Sequence, residues 1–148
     1  MGVVEESVSV RASLAETWDA FFDPRGWPEW VDAFAGVVSA DGYPEVAGRL
    51  VWRTGVAGRG EVTEEVAEHE PRRLHVVRFS DPTMSGTLET RFALEGSETR
   101  VSQAMSYRLA ERGVFAFLGA LFVRSQVRRS LERSLAGFRA HIGEPAPR

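Results

Sequence analysis

The chain has 148 residues, of which 43% are hydrophobic, so it is long enough to form one domain with a buried core. Its formal net charge of −3 gives no basic surface for nucleic acid, and the absence of cysteine excludes disulfides, thiol nucleophiles and thiolate metal sites. The N-terminal residues lack the positive charge of a secretion signal, and the longest apolar run, 114–123, is too short to cross a bilayer. We therefore expect a cytoplasmic protein without a membrane span.

The first predicted elements are a strand near residues 3–11 and two short helices. Alternation places three valines on one face of the strand: Val4, Val8 and Val10. Ser13 and Glu16 have the spacing of a capping box, which predicts the start of the first helix. Pro24 ends that helix, and Pro28 favours a second helical turn that carries Trp27 and Trp30.

Six further strands are predicted between this helical segment and residue 109. Turn signals rich in Gly, Pro and Asp separate them, and the strands lie near 35–40, 48–56, 60–69, 73–80, 83–94 and 98–109. These connections are too short for the crossovers that parallel strands need. With the first strand, they predict an antiparallel sheet of seven strands.

Alternation separates an inner face from an outer face on the last two strands. On 83–94 we expect the even positions to be buried: Met84, Gly86, Leu88, Thr90, Phe92 and Leu94. On 98–109 we expect the odd positions to be buried: Val101, Gln103, Met105, Tyr107 and Leu109. Thr90, Gln103 and Tyr107 would then be polar groups on an apolar wall, where a ligand, a trapped water or a neighbouring side chain must satisfy them.

The strand 73–80 carries two candidate functional side chains, His75 and Arg78. They point to opposite faces by alternation, but apolar residues occupy both faces, so the sequence does not decide which one faces inward. An inward His75 would be a candidate general base, and an inward Arg78 would anchor a carboxylate or carbonyl group. The alternative for either is a surface residue or a structural ion pair. Trp52 shares the parity of Leu50 and is expected on the same inner face.

The C-terminal third is predicted to be helical. Apolar residues recur at helical spacing from Val127 to Ile142, which predicts a long amphipathic helix. The preceding run, 113–123, is apolar nearly all round, and we expect it to be covered on most sides. Residues 1–142 then form a single domain, and 143–148 form a disordered tail.

Three segments resemble the polyketide cyclase/dehydrase and lipid-transport branch of the START superfamily (SRPBCC), which includes carriers of the pollen-allergen type. They are 13–21 (SLAETWDAF) with 27–30 (WPEW), 70–74 (EPRRL) and 124–131 (RSQVRRSL). The resemblance implies an α+β helix-grip fold, in which a curved seven-stranded antiparallel sheet wraps the long C-terminal helix and two short helices follow strand 1. It also implies a cavity between sheet and helix that suits a hydrophobic small molecule.

This resemblance gives the aromatic helical segment a place in the fold. Trp27 and Trp30 would close the open end of the curved sheet, either as core residues alone or with Trp27 also part of the cavity wall. Residues 113–122 would line or gate the cavity mouth. The candidate ligand-binding residues are Trp27, Trp52, His75, Arg78, Met84, Leu88, Thr90, Phe92, Gln103, Met105, Tyr107, Phe117 and Leu121.

No metal or cofactor site is predicted. The three histidines, His69, His75 and His141, lack the spacing of metal ligands, and the Gly-rich segment 55–60 lacks the features of a phosphate loop.

The favoured function is a carrier or sensor that binds a hydrophobic or aromatic small molecule, because no acid/base pair stands out. The alternative is an enzyme resembling polyketide aromatase/cyclases that acts on an apolar ligand in the same cavity. A third possibility is an interaction module that docks through 114–123.

Overall fold

A computed structural model describes residues 2–56, 60–110 and 116–143, although the side chains of 116–118 and 120 lie outside the description. The elements are β1 (Gly2–Val10), α1 (Leu14–Phe21), α2 (Trp27–Trp30), β2 (Phe34–Asp41), β3 (Arg49–Thr54), β4 (Glu61–Glu70), β5 (Leu74–Ser80), β6 (Met84–Glu95), β7 (Glu98–Leu109) and α3 (Ala116–Gly143). This order confirms the predicted α+β architecture of a strand, two short helices, six strands and a long helix.

All seven strands belong to one antiparallel sheet. The order of strands is β1-β7-β6-β5-β4-β3-β2, so every strand except β1 pairs with its neighbour in sequence, and β1 pairs with β7. A register shift between Val66 and Glu68 interrupts the pairing of β4 with β5. Such an irregularity bends a strand and increases its twist. The curved sheet partly encloses α3, as predicted.

The short helices connect the open end of the sheet to α3. Ser13 caps α1 by accepting a hydrogen bond from the backbone N–H of Glu16 at 3.1 Å, as the sequence predicts. The indole Nε1 of Trp27 donates to the buried carbonyl oxygen of Phe21 at 2.9 Å and ties α2 to α1. At Gly137 a Cβ atom would lie 3.1 Å from the carbonyl oxygen of Trp30, so a residue without a side chain lets α2 approach α3 closely.

Two hydrophobic clusters fill the space between the sheet and the helices. The first joins α1, α2 and the C-terminal half of α3, and its buried members include Trp18, Phe21, Trp27, Trp30, Phe92 and Phe138. The second lies further along the sheet and contains Val4, Val62, Phe79, Met84, Tyr107, Val127 and Leu131. The side chain of Trp52 packs against both clusters, which places it between them.

Two expectations about buried apolar residues are wrong. Leu94 is 65% exposed and lies at the end of β6, next to the hairpin that joins β6 to β7. Leu121 and Phe122 are 60% and 64% exposed, so the described part of the apolar run 113–123 is not covered on most sides. Residues 113–115 and 144–148, which include most of the predicted tail, lie outside the described residues.

None of the described helices has the length and apolar character that a membrane span requires.

Candidate ligand-binding cavity

A cavity of about 140 Å³ lies between the two hydrophobic clusters, under the short helices and beside α3. Its walls come from α1, α2, the segment after α2, the inner face of the sheet and one side of α3. The lining residues are Phe21, Trp27, Trp30, Val31, Asp32, Phe34, Tyr43, Leu50, Trp52, Glu64, His75, Val77, Leu88, Thr90, Gln103, Met105, Ser130, Leu131 and Ser134.

Three rows of directly paired residues run across the sheet, and those of their members that line the cavity form its floor. One row is polar and runs His69, His75, Thr90, Gln103 across β4 to β7. The next row is apolar and runs Val66, Val77, Leu88, Met105. The third runs Leu50, Glu64, Phe79, Gly86, Tyr107 from β3 to β7. Strand alternation and register therefore bring polar groups to both sides of an apolar strip.

Four aromatic rings form one wall of the cavity. Phe34 stacks on Trp52 with ring centroids 5.8 Å apart and planes inclined by 26°. Trp27 meets Phe34 and Tyr43 edge to face at 6.1 and 5.9 Å. These separations and angles are those of favourable aromatic pairs, which makes this wall a continuous and well-packed surface.

Glu64 places a carboxyl group in this aromatic and apolar surrounding. Its Oε2 accepts a hydrogen bond from the Trp52 indole Nε1 at 2.7 Å. Burial raises the pKa of Glu64 to about 7, although the hydrogen bond from Trp52 favours the ionised form. No cation pairs with this carboxyl group among the described residues. The Glu64 carboxyl group therefore changes between its protonated and ionised forms near neutral pH.

His75 is the second titratable group of the cavity wall. The ring is only 3% exposed, and its Nδ1 lies 3.0 Å from Nδ1 of His69, which is half-buried. Burial, with a smaller contribution from the neighbouring His69, lowers the pKa of His75 to about 3. The ring is therefore neutral at physiological pH, and its buried Nε2 has no hydrogen-bond partner among the described residues.

Two further polar groups of the wall differ in how they are satisfied. Gln103 donates from Nε2 to Oγ1 of Thr90 at 3.2 Å, across β6 and β7. Of the partners expected from the sequence for these polar groups, it is thus a neighbouring side chain that the structure shows. The Trp30 indole Nε1 is buried and has no hydrogen-bond partner among the described residues. Unpaired buried donors are uncommon and are often found where a ligand or water binds.

Polar residues of α3 and of the segment after α2 mark the mouth of the cavity. The backbone N–H of Asp32 donates to Oγ of Ser134 at 2.9 Å. The Asp32 carboxylate also pairs with Arg133, with Oδ2 and Nη1 3.6 Å apart. These contacts fix the rim, and the half-buried Ser130 lies one helical turn from Ser134.

Seven of the predicted site residues line this cavity: Trp27, Trp52, His75, Leu88, Thr90, Gln103 and Met105. Trp27 and Trp30 are both buried core residues and cavity wall at once. The structure also answers the question left open on β5. His75 faces inward, while Arg78 lies on the outer face and pairs with Glu65 at 3.0 Å.

The remaining predicted residues lie elsewhere. Met84, Phe92 and Tyr107 face inward but are enclosed in the two hydrophobic clusters rather than at the cavity surface. Leu121 is exposed to solvent on α3. The side chain of Phe117 lies outside the described residues.

Sequence reasoning missed Glu64, Phe34 and Tyr43 as cavity residues. A signal for Glu64 was present, because it shares the parity of the buried Val62 and Val66 on β4. Acidic residues throughout this strand concealed it. Phe34 begins β2 and Tyr43 lies in the turn after it, where no alternation pattern indicates a direction.

A metal centre finds no support in the part of the chain that the structure describes, since no group of three or more His, Asp or Glu side chains there is arranged to hold an ion.

Comparisons with known proteins identify the fold. The family described as "Polyketide cyclase / dehydrase and lipid transport" matches residues 1–143. No curated protein matches the chain in sequence. Among solved structures, the Zhui aromatase/cyclase from Streptomyces sp. R1128 is similar with a TM-score of 0.79 and 16% identity, over 95% of this chain and 93% of that one.

Two other solved structures are similar over nearly their full length. A protein from Thermus thermophilus has a TM-score of 0.70 and 20% identity, over 95% of this chain and 97% of that one. The Aha1 protein from Colwellia psychrerythraea, solved as a dimer, has a TM-score of 0.66 and 12% identity, over 99% of this chain and 100% of that one. At such identities the similarity shows a shared helix-grip fold, as predicted.

Proposed function

Because this chain belongs to the polyketide cyclase/dehydrase and lipid transport family, we propose that it binds a small, ring-bearing apolar molecule in the cavity between its sheet and α3. In this role it would act as a carrier or sensor. The shape of the aromatic wall would select the guest, and the polar groups around it would orient the guest.

The volume of the cavity is the observation that carries this proposal. Apolar cavities of about 150 Å³ accept a benzene molecule, so a space of about 140 Å³ suits a single ring with one small substituent. A long acyl chain or a multi-ring product is several times larger. Such a molecule would require the short helices and α3 to move apart.

The unsatisfied polar atoms support a guest that carries a hydrogen-bonding group. Trp30 Nε1 and His75 Nε2 are buried without partners among the described residues, and both side chains line the cavity. Leaving such a group unpaired costs about 1–3 kcal/mol, which a suitably placed guest or water would recover in part.

Calorimetric titration with three ring-sized probes, benzyl alcohol, benzylamine and benzoate, tests this proposal. We expect saturable binding of at least one probe, and we expect Met105→Trp, which fills the cavity from its floor, to abolish it. Leu109→Trp is the matched control, because Leu109 lies on the same face of β7 but outside the cavity lining. Absence of saturable binding for all three probes, or equal binding by both variants, would overturn the proposal.

A second candidate function is acid–base catalysis in the same cavity, and Glu64 is the observation that favours it. A carboxyl group with a pKa of about 7 serves as general base and general acid near neutral pH. Its carboxylate would remove a proton from a carbon next to a ketone, and the resulting enolate carbon would attack a second carbonyl of the same molecule. The carboxylic acid would then return the proton to the new alkoxide.

A short diketone tests this second function within the size of the cavity. We expect the protein to accelerate ring closure of 2,6-heptanedione, and we expect Glu64→Gln to remove the acceleration while the probe still binds. Asp32→Asn is the control, because its carboxylate lies at the rim and pairs with Arg133. Unchanged ring closure in the presence of the protein would leave binding as the function.

A further inference from the structure

Among the described residues, the two charged groups that line the cavity are both acidic. Asp32 and Glu64 are the lining residues with a formal charge at neutral pH, and the chain contains no lysine. Asp32 is compensated by Arg133 at the rim. Glu64 is not compensated, because its one hydrogen bond within the described structure comes from the neutral indole of Trp52. The interior of the cavity therefore holds one carboxyl group that has no counterion among the described residues.

The surroundings of Glu64 suit a positive charge. Phe34, Tyr43 and Trp52 line the cavity on the same side as this carboxyl group, and Phe34 and Trp52 stack at 5.8 Å. Aromatic rings attract organic cations through the negative electrostatic potential of their faces, and tryptophan does so most strongly. An ammonium group next to Glu64 would thus meet both a carboxylate and aromatic surfaces.

Within the described lining, an anionic guest would find no partner of opposite charge. The one basic side chain among the described lining residues is His75, and burial holds its pKa at about 3, so it is neutral when the protein is at physiological pH. Arg78, which would have been an anchor for a carboxylate, lies on the outer face of the sheet. A guest carboxylate would instead face the uncompensated Glu64, which repels it.

We propose that the natural guest is an organic amine, with its ammonium group paired to Glu64 and its ring or alkyl part on the apolar strip of Leu88 and Met105. This inference rests on the proposed binding function and names the chemical class of the guest. Glu64 is already half-buried in the folded protein, so part of the desolvation that pairing with an ammonium ion requires is completed on folding. The buried Nε2 of His75, which has no hydrogen-bond partner in the described part of the chain, is a second independent sign that this cavity is built for a polar guest.

The three probes of equal size separate this inference from the binding function itself. Benzylamine is a cation at neutral pH, benzyl alcohol is neutral and benzoate is an anion, and all three carry the same ring. We expect benzylamine to bind about tenfold more tightly than benzyl alcohol, and we expect benzoate to bind most weakly. Equal or tighter binding of benzyl alcohol or benzoate would overturn the inference and leave the binding function standing. Failure of all three probes to bind would overturn both.

Two isosteric variants identify the group that recognises the charge. Glu64→Gln keeps the size of the side chain and an acceptor for Trp52, so we expect it to weaken benzylamine about tenfold and to change benzyl alcohol by less than about twofold. Asp32→Asn, at the rim of the same cavity, is the matched control and should keep the preference for the cation. Loss of the preference in the Asp32 variant rather than in the Glu64 variant, or equal weakening of all probes by Glu64→Gln, would show the inference to be wrong.

Discussion

Replacement of Glu64 by glutamine should stabilise the protein at alkaline pH and have much less effect at acidic pH. The ordinary pKa of this carboxyl group is 4.5, and burial raises it to about 7 in the folded protein. As the pH rises above 4.5, the unfolded chain loses this proton while the folded protein retains it, so the free energy of unfolding decreases. The decrease ends near pH 7, where the folded protein also loses the proton. Glutamine has no proton to lose and removes this dependence.

The magnitude follows from the two pKa values. At about 1.4 kcal/mol per pKa unit, a rise from 4.5 to about 7 corresponds to about 3 kcal/mol at pH 8, where the penalty of the ionised form is complete. At pH 5 the same relation gives about 1 kcal/mol. The advantage of Glu64→Gln over the natural protein should therefore grow by about 2 kcal/mol between pH 5 and pH 8. Any fixed cost of burying the amide cancels in this difference.

Urea unfolding followed by tryptophan fluorescence at pH 5 and pH 8 measures this quantity for both proteins. Glu65→Gln is the matched control, because Glu65 is the next residue on β4, points to the outer face and makes an exposed ion pair with Arg78. We expect the control to change the free energy of unfolding by at most about 1 kcal/mol at either pH. A difference between Glu64→Gln and the natural protein that does not change with pH would refute the assignment of Glu64 as a buried, uncompensated carboxyl group.

Three further predictions concern the histidine, the helical anchor and the sheet. Burial lowers the pKa of His75 from 6.5 to about 3, so between pH 7 and pH 5 this side chain becomes protonated in the unfolded chain but stays neutral in the folded protein. The free energy of unfolding should therefore fall by about 2 kcal/mol over this range because of His75. In urea unfolding, this loss of stability between pH 7 and pH 5 (the acid limb) should be smaller in His75→Leu. Trp27→Phe leaves the buried Phe21 carbonyl without its donor and should cost about 1–3 kcal/mol in the same assay. Gly86→Ala places a Cβ against the Ser106 carbonyl and should lower the thermal midpoint by an amount equivalent to about 1–3 kcal/mol.

The histidine and glycine changes each have a control in the same chain. His141→Gln alters a histidine on α3 that contacts Glu29, and it should leave the acid limb that His75 produces in place. Ser85→Ala alters the exposed neighbour of Gly86 on β6 and should change stability by less than about 0.5 kcal/mol. An acid limb that persists in His75→Leu would mean that another group causes it. A Gly86→Ala variant as stable as Ser85→Ala would contradict the close approach of β6 and β7.

Much of the fold could be predicted from the sequence because its patterns are local. The capping box at Ser13 and the proline at 28 begin two short helices where the structure has them. The alternation on β6 and β7 predicts the inward positions of Thr90 and Gln103 correctly, because polar residues occupy the other face of both strands. A polar outer face makes the direction of every second side chain a property of the strand itself.

The cavity and its chemistry depend on tertiary structure. On β5 both faces carry apolar residues, so alternation alone could not decide between His75 and Arg78, and the pairing with β4 and β6 places His75 inside. Glu64 is one of several acids on β4 and looks like a solvated residue in sequence. Its burial arises because Trp52, from the neighbouring strand, and the aromatic wall of the cavity enclose it. A pKa near 7 is thus a property of the packed neighbours of this carboxyl group, which are distant in sequence and meet only when the sheet closes over α3.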